Sequence, residues 1–262
     1  MVEGLLSGQR ADGGFGVHPY SKWKGAHWRL VSLVELGIPR TNRAARKAAR
    51  TVLDWLADPS YTAPVVKGLE RRHASVEGNA LAVSCRLGMA KDPRVGALAD
   101  LLLHAQWPDG GWNCDPDPKA HRSSFHESLA PIWGLFEYHR ATGDRRALKG
   151  ANRTVDLLLE HRMFRTLTTG EPIHPEWTKA HWPPYWHYDF FHGLRAVAMV
   201  GKLDDPRAGD ALDLLRSMRR PDGTWAANGR RYWRKQGGTG VEVVDWGDAQ
   251  QMVTPIAERL LG

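Results

Sequence analysis

The chain has 262 residues, 42% of them hydrophobic, with only two cysteines, Cys85 and Cys114. A sequence of this size and composition can bury a large core, which excludes wholesale disorder and a disulfide-stapled scaffold and leaves both thiols reduced. The net charge of +7 admits an anionic partner, but the basic residues Arg40, Arg43, Arg46, Lys47 and Arg50 recur at helical spacing among alanines, which reads as a solvated helix face and argues against nucleic acid.

Taken along the chain, a short first helix ends at Gln9. Helices are then expected at about 22–37, 41–57, 73–89, 92–106, 124–142, 144–164, 186–201, 206–219 and 248–261, from the periodicity of apolar residues and the start signals. Asp92-Pro93 and Asp205-Pro206 each place an N-cap before a proline at the first helical position, and Asp144 does the same without the proline. Ser124-Phe-His-Glu127 and Asp248-Ala-Gln-Gln251 have capping-box spacing and open more continuously apolar segments. The continuously apolar helices read as inner ones and the amphipathic helices between them as outer ones. Val241-Glu-Val-Val244 is too short to found a sheet. No run is apolar enough to span a bilayer, and Met1 to Gly14 carries no leader pattern, so a single all-α domain over 1–262, located in the cytoplasm, is expected.

Three copies of one short segment divide the chain: Gln9-Arg-Ala-Asp12-Gly-Gly-Phe15, Gln106-Trp-Pro-Asp109-Gly-Gly-Trp112 and Arg219-Arg-Pro-Asp222-Gly-Thr-Trp225. In each, a helix ends at the first residue, Asp-Gly supplies a turn with positive φ, and the aromatic residue folds back on the helix just completed. Gln106 to Trp112 resembles the QW motif of squalene and oxidosqualene cyclases, and the whole repeat is similar to the prenyltransferase and squalene-oxidase repeat. The resemblance implies an α/α toroid of about five to six helical hairpins, with inner helices around a cavity that opens at one end. It implies an enzyme of the terpene-cyclase and prenyltransferase kind, acting on a small hydrophobic, isoprenoid-type substrate by acid-initiated or metal-assisted cyclisation or transfer.

Relatives that protonate their substrate carry a DxDD motif. Here the nearest match is Asp115-Pro-Asp117-Pro, a proline-stiffened turn, which argues against a hopene or sterol cyclase. Protein prenyltransferase β-subunits hold zinc with an Asp-x-Cys pair and a later histidine. Tyr185-Trp-His187-Tyr-Asp189 resembles the histidine-bearing segment, whereas Cys114 and Asp115 are adjacent rather than spaced. The resemblance thus offers Cys114, Asp115 and His187 as a candidate zinc set, and His121, His126 and Asp189 complete the pool of ligand types that ring loops could bring together.

Further candidates come from the residues alone. His73 and Glu77, four apart, share a helix face, so the carboxylate could orient the imidazole as an acid or base, or the two could form a plain structural ion pair. His126 stands beside Glu127, which already has a capping role, so His126 joins His187, Asp189, His73 and Glu77 as candidate catalytic groups. Asp245 has no structural duty, and Cys85 lies among apolar neighbours and reads as core.

Twelve tryptophans are many for this length. Trp177, Trp182, Tyr185, Trp186 and Tyr188 crowd together near the end of a long Pro- and Trp-rich connection from Thr166 to Pro184, of the kind that forms lids or binding loops. Trp28, Trp182, Tyr185, Trp186 and Tyr188 are the candidate substrate contacts, since aromatic faces suit an isoprenoid chain, a carbocation or a sugar ring. Two other readings stand beside the first: a carbohydrate-active lyase or hydrolase, which paired carboxylates would favour, and a non-enzymatic binding module whose basic face includes Lys22, Lys24 and Arg29.

Overall fold

The structure, a computed structural model, describes residues 1–229 and 243–262. It is mainly helical: α1 (Val2–Leu6), α2 (Ala26–Glu35), α3 (Arg43–Leu56), α4 (Ala74–Arg86), α5 (Pro93–His104), α6 (Phe125–Thr142), α7 (Arg145–Glu160), α8 (Phe190–Met199), α9 (Gly209–Ser217) and α10 (Gln250–Leu261). Between α3 and α4 lies a minimal antiparallel hairpin of β1 (Val65–Val66) and β2 (Leu69–Glu70). Val241 and Glu242 of the short β-prone run lie outside the described residues. Among the described residues no helix is long and apolar enough to cross a membrane.

The expected starts of the flanking helices follow one local rule. Asp92, Asp144 and Asp205, the last at the start of a 3-10 turn (Pro206–Ala208) that leads into α9, accept the backbone N–H of Arg94, Arg146 and Arg207 at 3.0, 2.8 and 2.9 Å, and each carboxylate also holds that arginine's guanidinium. Asn42 caps α3 through the Ala45 N–H at 2.9 Å. Each cap satisfies a donor that would otherwise face water and contributes about 1 kcal/mol. The capping box expected at Ser124 does not form. Ser124 makes no side-chain cap bond, because Glu127 turns away from its own helix toward α4.

Two kinds of helix alternate along the chain. α2, α4 and α8 are mostly buried and α6 is half buried, with its exposed residues at its C-terminal end, whereas α3, α5, α7 and α9 bury one face, as does α10, which the sequence reads as continuously apolar. Each buried helix packs against the flanking helix that follows it, and α2, α4, α6, α8 and α10 touch in succession. The closest crossing is between α4 and α6, where a Cβ on Gly78 would lie 2.3 Å from Pro131 N and one on Gly134 would lie 2.5 Å from Gly78 O. Glycine is required there because the two backbones are in direct contact. Remote in sequence, α2 and α8 are joined by the two-pronged ion pair of Glu35 and Arg195, with contacts at 2.8 and 2.9 Å.

The three repeated segments fold alike. Gly13, Gly110 and Gly223 have φ of 96°, 101° and 85°, and their N–H groups close turns on Arg10, Trp107 and Arg220 at 2.9, 3.0 and 2.9 Å. Gln9 and Gln106 donate to Gly13 O and Gly110 O at 2.9 and 2.8 Å, and Arg219 donates to Gly223 O at 3.2 Å. The glutamines also reach the next flanking helix, at Ala44 O on α3 and Gly150 O on α7. Trp112 and Trp225 return to the finished helix, donating to Leu102 O and Leu215 O at 3.0 and 2.8 Å. These turns therefore tie one hairpin to the next.

Where α2, α4, α6 and α8 meet, the space left is small: a cavity of about 50 Å³ lined in part by Glu35, Asn79, Trp133, Tyr185 and Arg195.

Candidate active site

The N-terminal ends of α4, α6 and α8 share one end of the buried layer. Glu127 of α6 accepts the Ser75 N–H of α4 at 2.9 Å, and His126 Nδ1 accepts the Tyr188 N–H, just before α8, at 2.9 Å. The long connection after α7 folds over this end with a 3-10 turn at Pro175–Thr178. Beneath it opens a cleft of about 270 Å³ lined by His126, His174, Glu176, Trp177, His181, His187 and Tyr188, with Ile173 and Gly229.

Burial tunes two of the cleft's imidazoles, His126 and His187. His126 falls to about 4, chiefly because burial penalises its charged form and then because His181 is near. Since its Nδ1 is an acceptor, its proton sits on Nε2. His187 stacks on Trp186 with centroids 4.0 Å apart, and burial followed by the neighbouring imidazoles His181 and His126 drives its proton affinity far below the ordinary range. Both rings are neutral near pH 7.

Asp189 anchors the floor. It caps α8 through the His192 N–H at 2.8 Å and accepts both the backbone N–H and Nδ1 of His181, at 2.7 and 2.5 Å. Burial raises its pKa, but His181 and His192 outweigh burial and hold it below the usual carboxylate range. His192 Nε2 donates to His181 O at 3.0 Å and its Nδ1 accepts from Arg195 at 3.1 Å. Burial lowers His192 to about 3.

A second group lies on the α4 side. Cys114 Sγ donates to Glu127 Oε1 at 3.3 Å, and His73 Nδ1 stands 3.8 Å from the same oxygen. Ligand atoms of His73, Cys114 and Glu127 all fall within 4.8 Å of one another. Glu127 is buried, Cys114 is half-buried, and the His73 side chain is 66% exposed. Hydrogen bonding with Cys114 and then Glu127 raises His73 to about 10, while for Glu127 the lift from burial is outweighed by His73 and Ser75, which pull it below its usual value.

Several sequence expectations are redirected. His73 and Glu77 do not pair: His73 is the N-cap of α4 rather than part of its face, and Glu77 is wholly buried against Arg72 at 2.5 Å. Burial lifts Glu77 to about 7 although Arg72 opposes this. Cys114, Asp115 and His187 do not converge on one point. Asp115 turns into its own loop and accepts the Asp117 N–H at 2.9 Å, and His121 is exposed against Lys119 O at 2.7 Å. Trp28, Trp182 and Tyr185 are packed in the core at 0%, 1% and 3% exposure, whereas Tyr188 reaches the cleft and Trp186 backs His187. Arg29 is buried beneath the Phe15 ring and donates to Lys24 O, Leu5 O and Ser7 O, so it is no part of a basic surface. Asp245 closes a local turn on the Gly247 N–H at 2.9 Å.

His174, Glu176, His181 and His192 were not singled out from sequence. The only signal for the first three was their place in the Pro- and Trp-rich connection, because their partners are remote or across a turn. Comparisons of the chain with family models, with curated proteins and with solved structures found no match, so the site's own geometry carries the functional reading.

Proposed function

We propose that the protein is an enzyme built on an α/α toroid, with α2, α4, α6, α8 and α10 as inner helices, and that its reaction occurs in the histidine-lined cleft at the mouth of the ring. The observation that carries this reading is the cleft itself: about 270 Å³, just under the roughly 300–1,000 Å³ of small-molecule sites. The centre between the inner helices, at about 50 Å³, is too small to enclose a substrate.

The substrate is an oxygen-bearing prenyl-type molecule whose reacting end enters the cleft. His126 offers an Nε2–H to the oxygen that leaves or gathers charge, a neutral imidazole acting as a fixed hydrogen-bond donor. Trp177 and Tyr188 present aromatic surface to the carbon skeleton, suited to an apolar chain or a developing cation. Sugar chemistry by paired carboxylates is less well supported. Of the two acids near the cleft, Asp189 has its oxygens engaged by His181 and His192, and Glu176 Oε1 is paired with Lys179 at 2.8 Å.

The test is to incubate the protein with prenyl alcohols, prenyl diphosphates and oligosaccharides and to follow products by mass spectrometry. Turnover of a prenyl compound, lowered about 100-fold or more in His126→Ala, supports the assignment. Turnover of oligosaccharides alone, or a fully active His126→Ala or His187→Ala variant, overturns it.

A further inference from the structure

We propose that His73, Cys114 and Glu127 form an open, three-ligand zinc site at the mouth of the helical layer, apart from the histidine cleft. The zinc set implied by the sequence resemblance does not fit, since Cys114, Asp115 and His187 do not come together; Cys114 is used with different partners.

The cluster has the dimensions of a metal site. With zinc bonds of about 2.3 Å to sulfur and about 2.0–2.2 Å to nitrogen and oxygen, the edges of a tetrahedral site are about 3.3–3.6 Å. The Cys114 Sγ to Glu127 Oε1 and His73 Nδ1 to Glu127 Oε1 separations of 3.3 and 3.8 Å lie within a few tenths of an ångström of those edges. A nucleophile–base–acid relay would be linear, with the imidazole as the only link between thiol and carboxylate. Here the thiol also touches the carboxylate directly and all three ligand atoms lie within 4.8 Å of one another, so they close a triangle rather than a chain.

An outer contact orients the carboxylate. Glu127 Oε2 is held by the Ser75 N–H at 2.9 Å, which fixes the carboxylate and leaves Oε1 turned to the cluster, the way a hydrogen bond from behind orients a metal-binding carboxylate. The other grouping of ligand-type residues, His181, Asp189 and His192, lacks this character. Its atoms are committed to one another, to backbone and to Arg195.

Ligand chemistry selects the ion. One thiolate, one imidazole and one carboxylate favour zinc over hard cations such as magnesium or calcium, and three protein ligands leave a fourth position for water or substrate. On binding, the Cys114 thiol proton now donated to Glu127 and the proton carried by a charged His73 ring are both released to solvent, so affinity rises with pH.

The experiment uses untagged protein stripped with a chelator, titrated first with zinc and then with cobalt. Expected are about one zinc per chain, a thiolate-to-cobalt charge-transfer absorption, and a zinc-dependent rise in Tm. Affinity falls at least about tenfold in His73→Ala and in Cys114→Ser, and is kept in Asp115→Asn and His187→Ala. Both ligand positions reach solvent, and circular dichroism of the apo variants establishes that they fold. Failure of the wild type to bind, equal binding by His73→Ala and Cys114→Ser, or loss of binding in His187→Ala would overturn the proposal. Metal binding is read without any substrate, so this outcome is separate from that of the cleft's proposed reaction.

Discussion

Glu127, three residues into α6, accepts the backbone N–H of Ser75 in the first turn of α4 at 2.9 Å. A side chain that could have capped its own helix instead completes the neighbouring one, fixing the two helix starts against each other. Charge-assisted bonds of this kind are worth about 1.5–3 kcal/mol, and the buried partner left behind loses its solvation as well. Glu127→Ala is expected to lower unfolding free energy by about 2–3 kcal/mol in urea denaturation without metal. A change under about 0.5 kcal/mol would mean that water replaces the carboxylate.

The α4–α6 crossing depends on glycine. In Gly78→Ala the added methyl meets Pro131 N at 2.3 Å and the carbonyl carbon of Ala130 at 2.5 Å, and neither can rotate away. Overpacking of this sort costs about 1–3 kcal/mol or more. Thermal unfolding should show a loss at the upper end of that range, whereas Gly96→Ala, with only the Tyr138 hydroxyl 3.5 Å from the new methyl, should be neutral or slightly stabilising through helix propensity.

Gln106 tests the repeated turn. Its Nε2 donates to Gly110 O and Gly150 O, at 2.8 and 3.0 Å, and its Oε1 accepts from Arg153 at 2.9 Å. Gln106→Ala should cost about 2 kcal/mol and raise hydrogen exchange at both the turn and the middle of α7. Exchange confined to the turn would show that the tie to the next hairpin carries no stability.

Acid should unfold the protein partly through His27. Its ring is buried, Nε2 has no hydrogen-bond partner, and burial lowers it from 6.5 to about 3. Below pH 6.5 the unfolded chain takes up a proton that the folded chain refuses, so this histidine's contribution falls as pH drops from 6.5 toward 3. Between pH 7.5 and 5 the loss is about 2 kcal/mol. Urea curves of wild type and His27→Leu at the two pH values should differ by that amount in their pH dependence. Parallel behaviour would mean that His27 is protonated in the fold.

How much could be read beforehand follows from the range of each interaction. Asp92, Asp144 and Asp205 stand two residues before the arginines they hold, and Asp109-Gly110 closes its turn within the same short segment. Sequence by itself therefore determined the helical class, the alternation of buried and amphipathic helices, and the three turns. Cys85 was legible as core for the same reason, since its neighbours on one helix are apolar. The site was decided otherwise. Glu127 reads as a cap because Ser124 is near in sequence, but the α4–α6 contact at Gly78 and Pro131 sets the Ser75 N–H against its carboxylate. Glu77 had His73 at helical spacing, yet the helix began one residue after His73, and Arg72 took the carboxylate. Composition marks Trp28, Trp182 and Tyr185 as substrate contacts, but they are core packing, because α2, α4, α6 and α8 close to a cavity of about 50 Å³. Local hydrogen bonding and hydrophobic period are encoded within a few residues, whereas the pairing of titratable groups depends on which helix ends meet, and that is set by tertiary packing.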